Sequence, residues 1–256
     1  MPQIWSISLT RISLSRLNWK IALIVAMSVP LLLRLGFWQL DRAEEKRAIQ
    51  RQYSAQMAAV PTSVDELFRV LEAGDPQSLV FRRVQLNGRY LPEYTALLDN
   101  RIEQGRAGYH VYSAFLADDR YLVWINRGWV AGANDRSLPM ISTPPESLDL
   151  LATVYISPGE SLVLADDEWR SGWPVRVQRA DIQRLNERLR AHRSEHALPV
   201  ELRIEQAMPG GLYVDWQLVS TNPEKHTGYA VQWFAMALAL VAFWIYQLWA
   251  ADRKPE

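Results

Sequence analysis

The sequence lacks the residues and motifs on which most enzyme classes depend. None of its 256 residues is cysteine, which excludes disulfide bonds, thiolate catalysis, cysteine-ligated zinc and covalent attachment of a c-type haem. It also lacks a GxGxxG turn after a strand, a phosphate-binding loop, an HExxH helix and a GxSxG elbow. Lys and Arg number 28, as do Asp and Glu, so no excess of positive charge indicates a nucleic-acid partner. We therefore predict that the protein is not an enzyme and binds no nucleic acid.

Two groups of side chains have the composition of a metal site. Asp166–Glu168 is a run of carboxylates that suits a hard cation, but a solvated turn explains it equally simply. His192 and His196 have the spacing of a two-histidine metal site, yet no third ligand is near them in the sequence. We interpret the first group as an exposed turn and the second as the exposed end of a charged helix. A loss of activity specific to Asp166 and Asp167 would instead favour a hydrolase.

Two apolar segments, one near each end of the chain, dominate the hydropathy pattern. Tyr229–Trp249 contains no charged residue and matches the roughly 20 residues that a helix needs to cross a bilayer. Several of the eleven tryptophans lie in or beside these segments, where an amphipathic ring suits the membrane–water boundary. We predict a transmembrane helix over 222–249, whose first turn is outside the membrane, and a short tail over 250–256.

The first apolar segment is interrupted. Ile21–Leu33 is shorter than a full span, contains Pro30 and is followed by Arg34. A helix over 19–40 reaches roughly 20 residues, and an arginine near its end can extend to the lipid headgroups. No small-x-small cleavage site follows. We therefore predict an uncleaved anchor, preceded by a tail over 1–18, in preference to a cleaved signal peptide.

Charge determines the orientation of these segments only in part. Lys and Arg precede the first segment and follow the second, which favours a cytoplasmic location for both termini. A further basic group just past the first segment opposes this, although a long middle region can translocate despite its charges. Charge alone leaves the side of the middle domain, over 41–221, open, with a preference for the side opposite the cytoplasm.

The middle region has the pattern of one α+β domain. The sequence DRAEEKRAIQRQY extends the first helix as a polar segment, and SVDELFRVLEAG predicts a short helix capped by Ser63 and ended by Gly74. ADIQRLNERLRAH places Ile182, Leu185 and Leu189 on one face of another helix. Alternating apolar residues predict strands in VFRRVQLNGRYL, YTALLDN, YHVYSAFLA, RYLVWINRGWV, LDLLATVYIS, LPVELRIEQA and GLYVDWQLV.

The strand pattern favours a mostly antiparallel sheet, flanked by the two predicted transmembrane helices. Asp118 and Asp119 predict a tight turn between the third and fourth strands. Runs of strands with few intervening helices are typical of antiparallel α+β domains.

The motif NRGWV ends the strand RYLVWINRGWV. A glycine at this place indicates a bulge or the close approach of another backbone segment. Arg127 is able to neutralise a carboxylate, including one on a ligand, or to take part in a structural ion pair. The residues alone leave both roles open.

His226, one of four histidines, lies just before the second apolar segment. Asn222 suits an N-cap, Pro223 the first helical position and Glu224 the first turn. The helix is therefore predicted to begin before it enters the membrane, which places His226 near the interface.

The chemistry of His226 has two interpretations. A neutral imidazole is the form that binds a metal or haem iron. Ala230, Trp233 and Ala237 follow on roughly the same helical face, and small and aromatic groups there would accommodate a flat macrocycle. The alternative is an ordinary interfacial histidine.

Three stretches together resemble the surfeit locus protein 1 family. LGFWQLDRAEEK at Leu35–Lys46 is similar to the family's LGxWQxxRxxxK element, which follows its first span. The block from Leu97 to NRGWV, including GRAGYHVYSAF, is similar to the region that leads to the family's RGWV element. HTGYAVQWF at His226–Phe234 is similar to the H-x-x-YAxQW element that opens the second span. Their order and the two-span layout agree with a bacterial-type member, and only about 137–211 carries no recognisable motif.

The resemblance implies an integral membrane assembly factor for a haem–copper terminal oxidase, cytochrome c oxidase. Such a factor assists the delivery or insertion of haem a into the catalytic subunit. It implies a multi-pass protein of the bacterial inner membrane, with both termini cytoplasmic and the α+β domain periplasmic. The expected partners are the catalytic subunit of the oxidase, the haem a synthase and the lipid bilayer.

The resemblance also implies a haem site, because haem binding is associated with the family's histidine at the second span, here His226. We expect His226 to give one axial ligand to a transiently held haem a, with Tyr229 and Trp233 against the ring. Further contacts, to the propionates or to a partner, are expected from Trp38, Arg42, Arg127 and Trp129. No catalytic residue and no metal other than the haem iron is expected. The alternative is a cofactor-free scaffold that holds oxidase subunits or the haem synthase.

Overall fold

The chain forms two long helices, one near each end of the sequence, and a closed sheet from the residues that lie between them in the sequence. This architecture is given by a computed structural model, which describes residues 19–133, 137–156, 169, 172–216, 218 and 221–252. A helical unit contains the described residues up to Arg51 and from Leu218 onward, and a sheet unit covers Gln52–Gln217. In chain order the elements are α1 (Trp19–Ala58), β1 (Thr62–Ser63), α2 (Val64–Glu72), a 3₁₀ turn (Pro76–Leu79), β2 (Arg83–Glu103), β3 (Arg106–Ala117), β4 (Tyr121–Ala131), β5 (Leu148–Tyr155), β6 (Val175–Val177), α3 (Ile182–Arg190), β7 (His196–Ile204) and α4 (Pro223–Asp252).

Both α1 and α4 are long and apolar enough to span a membrane. Only 11% of the most apolar window of each helix is buried, unlike the core helix of a globular protein. α1 continues through Pro30 and past Leu40, which confirms the predicted polar extension of the first helix. Helix α4 begins at Pro223 with Glu224 in its first turn, as predicted. The predicted membrane boundaries at 19–40 and 222–249 stay predictions.

The sheet closes on itself. β2 pairs with β3 at one edge and with β5 at the other, and β5 connects back to β3 through β7 and β4. β1 and β6 add short parallel pairings to β2. The main pairs are antiparallel, as predicted, but β4 and β7 run parallel, so the sheet is mixed. The predicted strands VFRRVQLNGRYL and YTALLDN form one strand, β2, whose pairing with β3 shifts register between Leu91 and Thr95.

The apolar core of the sheet unit combines residues from β2, β3, β4, β5 and β7, including Phe115, Ile125 and Leu202. α2 adds Val64 and Leu67 to this cluster, since its apolar residues recur at helical spacing. A second cluster lies under α3, where Leu185 and Leu189 pack with residues of β2, β3, β4 and β6. The predicted apolar face of α3 is therefore confirmed.

Several local predictions are confirmed and one is wrong. Ser63 Oγ accepts a hydrogen bond of 3.3 Å from Glu66 N and caps α2. Asp118 and Asp119 adopt φ values of 50° and 51° in the turn between β3 and β4. The predicted strand GLYVDWQLV does not form in its described part, where only an isolated bridge joins Tyr213 to Trp129.

Candidate functional site

His226 meets Gln39 across the helical unit. Its Nδ1 lies 2.7 Å from Gln39 Oε1. An amide oxygen only accepts hydrogen bonds, so Nδ1 carries the hydrogen and donates it. Within the described residues Nε2 has no hydrogen-bond partner, and the imidazole is half-buried. One ring nitrogen is thus held by the protein and the other is available to a ligand.

Helices α1 and α4 run antiparallel at this site. Gly36 lies against the ring of Phe234, while Arg47, further along α1, donates a hydrogen bond of 2.8 Å to Thr227 Oγ1 at the start of α4. Phe37 also packs edge-on against Phe234, with ring centroids 5.3 Å apart. Gly36 permits this approach because it has no side chain. These contacts fix the rotation of the two helices and bring His226 opposite Gln39.

Small residues at heptad spacing line the same helix pair. Ala43 follows Gly36 by seven residues on α1, and Ala237 follows Ala230 by seven on α4; all four are buried. Seven-residue spacing places residues on one side of a helix that packs with a neighbour. Ala230 and Ala237 are therefore in a packed position, and the accommodation of a macrocycle on the face that they share with Trp233 stays a prediction.

The predicted ring contacts differ in accessibility. Tyr229 is 49% exposed, whereas Trp233 is half-buried. Tyr229 and Trp233 follow His226 by three and seven residues, so both lie near its side of α4. Tyr229 is the more accessible ring for a planar ligand bound at His226.

Trp38 and Arg42 form an exposed pair on α1. The Arg42 guanidinium lies 5.8 Å from the centroid of the Trp38 ring and 2.6 Å from a carboxylate oxygen of Glu45. Trp38 is 48% exposed. Both side chains are accessible to a ligand or partner, and Trp38 is adjacent to Gln39 in the sequence.

Arg127 belongs to the sheet unit, where its side chain is fully buried. Its Nε donates to Gly210 O at 2.6 Å, and its Nη atoms donate to Ser142 O, Thr143 Oγ1 and Ser113 Oγ. Among the described residues, no carboxylate lies within ion-pair distance of Arg127. The ion pair that the sequence allowed is therefore not seen there, and the guanidinium donates to neutral oxygen atoms instead. Burial lowers the pKa of the guanidinium from its ordinary value. The predicted contact between Arg127 and a haem propionate stays a prediction. The burial of the Arg127 side chain does not favour it.

The remainder of NRGWV packs against the segment after β7. Gly128 has a φ of +103°, and a Cβ there would lie 2.4 Å from Tyr213 O. Trp129 N donates to Tyr213 O at 2.7 Å, and Trp129 Nε1 donates to Arg101 O at 3.0 Å. The predicted close backbone approach at this glycine is confirmed. The partner contact predicted for Trp129 stays a prediction.

A buried polar network lies beside this motif. Glu201 accepts hydrogen bonds from Tyr112 Oη, Asn126 Nδ2 and Arg203 Nε at 3.0–3.1 Å. Asn126 Oδ1 also accepts from Gly128 N at 3.2 Å. All three donors to the Glu201 carboxylate thus belong to the sheet unit. The network therefore stabilises the fold.

Where the structure describes them, the side chains considered above as metal ligands do not form a metal site. His196 lies in β7 and His192 follows α3, so the two do not share a helical face. Over the described ranges, no group of three or more His, Cys, Asp and Glu is arranged to hold a metal ion. Asp166–Glu168 lies outside the described residues.

The chemistry of the His226 imidazole fits that of a haem ligand. Nε2 is a nitrogen ligand of the kind that binds haem iron, and the Gln39 hydrogen bond orients the ring.

Sequence reasoning missed Gln39, although it lies within the quoted LGFWQL. Its spacing of three residues from Gly36 and four from Ala43 places it on the packed side of α1, and this spacing is a signal that was available.

Comparison with known proteins points to one family. The sequence profile of the SURF1 family matches residues 26–238 of the chain. A SURF1-like protein of Rickettsia felis is 21% identical over 228 residues, which covers 88% of this chain and 96% of that protein. A SURF1-like protein of Rickettsia bellii is 21% identical over 240 residues, covering 93% and 95%. A SURF1-like protein of Dictyostelium discoideum is 32% identical over 101 residues, covering 38% and 37%.

Proposed function

The chain belongs to the SURF1 family, which is generally associated with cytochrome oxidase assembly, and we propose that it assists delivery or insertion of haem a into the catalytic subunit of a haem–copper oxidase. The observation that carries this proposal is the His226 imidazole, whose Nδ1 is held at 2.7 Å by Gln39. Its other nitrogen is left for a ligand. A bound haem would supply iron, for which the imidazole of His226 would be a ligand.

The side chains near His226 have separate roles in the proposed binding of haem. Tyr229 and Trp233 would contact the macrocycle, and Tyr229 is the more exposed of the two rings. Arg42, half-exposed beside Trp38, would bind a propionate at the membrane surface. Gly36 and Phe234 close the space between α1 and α4 about two turns beyond His226 along α4.

A site that holds haem only transiently suits the transfer of haem to another protein. A single histidine with auxiliary ring contacts holds haem less firmly than a two-ligand cage, so the haem is able to pass to another protein. Ala230 and Ala237 are buried, which leaves the exposed side of α4 rather than the space between the helices for the macrocycle. Haem held there would be accessible to the catalytic subunit.

The apolar helices support a membrane location for this function. Both are long enough to span a bilayer and expose large apolar side chains along their length. We propose the bacterial inner membrane, with both termini cytoplasmic and the sheet unit periplasmic, where it contacts the catalytic subunit and the haem a synthase.

A polar cleft on the sheet unit favours a second candidate function, a scaffold without a cofactor. The cleft has a volume of about 570 Å³, and Asp99, Arg106 and Arg176 are among its lining residues. Charged groups of both signs suit a protein surface better than a haem. Wild-type protein isolated without haem, yet retaining the catalytic subunit, would support the scaffold.

The test of the proposal is the haem a content of the catalytic subunit. The subunit is isolated from a strain that lacks this protein and carries either the wild type or His226→Ala, with His192→Ala as the matched control. We expect full loading with the wild type and His192→Ala and a severalfold loss with His226→Ala. Full loading with His226→Ala would contradict haem delivery through His226.

A further inference from the structure

We propose that Gln39 is a positioning residue, which fixes the tautomer of His226 so that Nε2 is the nitrogen available to iron. The inference rests on the proposed function and adds a role for a residue of the other helix. Its basis is the contact of 2.7 Å between Gln39 Oε1 and His226 Nδ1.

The tautomer follows from the chemistry of the two groups. A neutral imidazole carries one N–H, and an amide oxygen only accepts a hydrogen bond. The hydrogen therefore resides on Nδ1, and the lone pair remains on Nε2. A histidine free in water favours the opposite tautomer, with the hydrogen on Nε2. Gln39 thus reverses the intrinsic preference and leaves the less hindered nitrogen unprotonated.

Contacts on both sides of Gln39 hold it in register with His226. Gly36, one turn earlier on α1, is packed against Phe234. Arg47, two turns later, donates a hydrogen bond of 2.8 Å to Thr227, the residue after His226. The two contacts therefore bracket Gln39 on α1, and on α4 they involve Thr227 and Phe234, which both follow His226.

A neutral partner also sets the strength of the ligand. Many metal-binding histidines donate to a carboxylate, which makes the imidazole more basic and the metal bond stronger. The partner of His226 Nδ1 is instead the uncharged amide of Gln39, at 2.7 Å. Gln39 orients the imidazole without that added basicity, which suits a protein that must release its haem.

The experiment uses the full chain in detergent with four variants. Gln39→Leu removes the acceptor, and Gln39→Glu keeps an acceptor oxygen and adds charge. Gln232→Leu is the matched control, because Gln232 is an exposed glutamine of α4. His226→Ala is the reference without the ligand. Two quantities are measured: the ¹⁵N spectrum of the histidine ring nitrogens in the haem-free protein, and the Kd for ferric protohaem used as the probe.

The expected spectra separate positioning from loss of structure. Wild type, Gln39→Glu and Gln232→Leu should show the Nδ1–H tautomer at His226, and Gln39→Leu should show the Nε2–H tautomer. The Kd should rise about tenfold in Gln39→Leu, the lower end of effects on removing such a partner. Gln232→Leu should leave it unchanged, and Gln39→Glu should bind at least as tightly as the wild type.

Failure of this inference is distinct from failure of the proposed function. An unchanged tautomer and Kd in Gln39→Leu, with haem lost in His226→Ala, would overturn the role of Gln39 and leave the ligand intact. Unchanged haem binding in His226→Ala would overturn the ligand itself. Equal weakening by Gln39→Leu and Gln39→Glu would show that only packing matters, which also overturns the inference.

Discussion

Gly36 of α1 lies directly against the ring of Phe234 of α4. A Cβ atom at residue 36 would lie 2.4 Å from Phe234 Cε1, too close for any side chain unless the ring moves. His226 and Gln39 belong to the same two helices. The contact between Gly36 and Phe234 therefore sets the spacing at which the imidazole and the amide meet.

Replacing Gly36 with leucine should weaken the helix pair. Overpacking of this kind costs about 1–3 kcal/mol, which lowers the thermal midpoint of the detergent-purified protein. Adding Phe234→Ala should restore most of the midpoint, since it removes the ring that the new side chain meets. Gly228→Ala is the control, because its added Cβ meets no atom within 4 Å. An unchanged midpoint in Gly36→Leu would contradict the close contact.

Arg127→Met should destabilise the sheet unit. The change leaves the carbonyl oxygens of Ser142 and Gly210 without their donors, and the expected cost is about 3 kcal/mol or more. Pulse proteolysis of the full chain in urea measures it. Arg89→Met, which breaks an exposed pair with Asp119, should cost less than about 1 kcal/mol. Similar costs for the two variants would show that Arg127 does not join the loops to the sheet.

Gly128→Ala should cost more than Gly105→Ala. Both glycines have a positive φ, +103° and +72°, so both variants carry backbone strain of about 1 kcal/mol. Only at Gly128 does the added Cβ meet another backbone, 2.4 Å from Tyr213 O. We expect an excess of about 2 kcal/mol for Gly128→Ala by the same proteolysis assay. Equal costs would mean that strain alone explains this glycine.

The stability of the sheet unit should fall in mild acid because of His110. Burial, with Arg101 and Arg203 as further causes, lowers the pKa of His110 from 6.5 to about 4. The folded pKa is lower than the unfolded one, so the unfolded chain binds the proton more readily. The stabilising effect is therefore complete above pH 6.5 and is lost as pH falls toward 4.

His110→Gln should flatten this part of the pH profile, whose amplitude is up to about 3 kcal/mol. The free energy of unfolding, measured in urea at each pH, gives the comparison. His192→Gln, which changes an exposed histidine, should leave the wild-type profile unaltered. A wild-type slope that persists in His110→Gln would assign the acid sensitivity to other groups.

Features set by near neighbours in the chain were predictable from the sequence. The cap at Ser63, the turn at Asp118 and Asp119 and the start of α4 at Pro223 depend on residues within one turn of each other. The two long apolar helices also follow from composition over a single window.

Features that join distant parts of the chain were not predictable. Closure of the sheet requires β2 to pair with β5, and the parallel pairing of β4 with β7 has no local signal. The segment around Tyr213 alternates like a strand, but the part of it that the structure describes pairs only at Trp129. The contact of Gln39 with His226 likewise depends on how two helices at opposite ends of the chain pack.

The most direct test of the account is the optical spectrum of the detergent-purified full chain, produced in cells that synthesise haem a. Wild type is compared with His226→Ala, and His192→Ala serves as the histidine control. We expect a haem Soret band in wild type and His192→Ala, and its loss or strong reduction in His226→Ala. The same haem content and the same spectrum in His226→Ala would contradict ligation by His226.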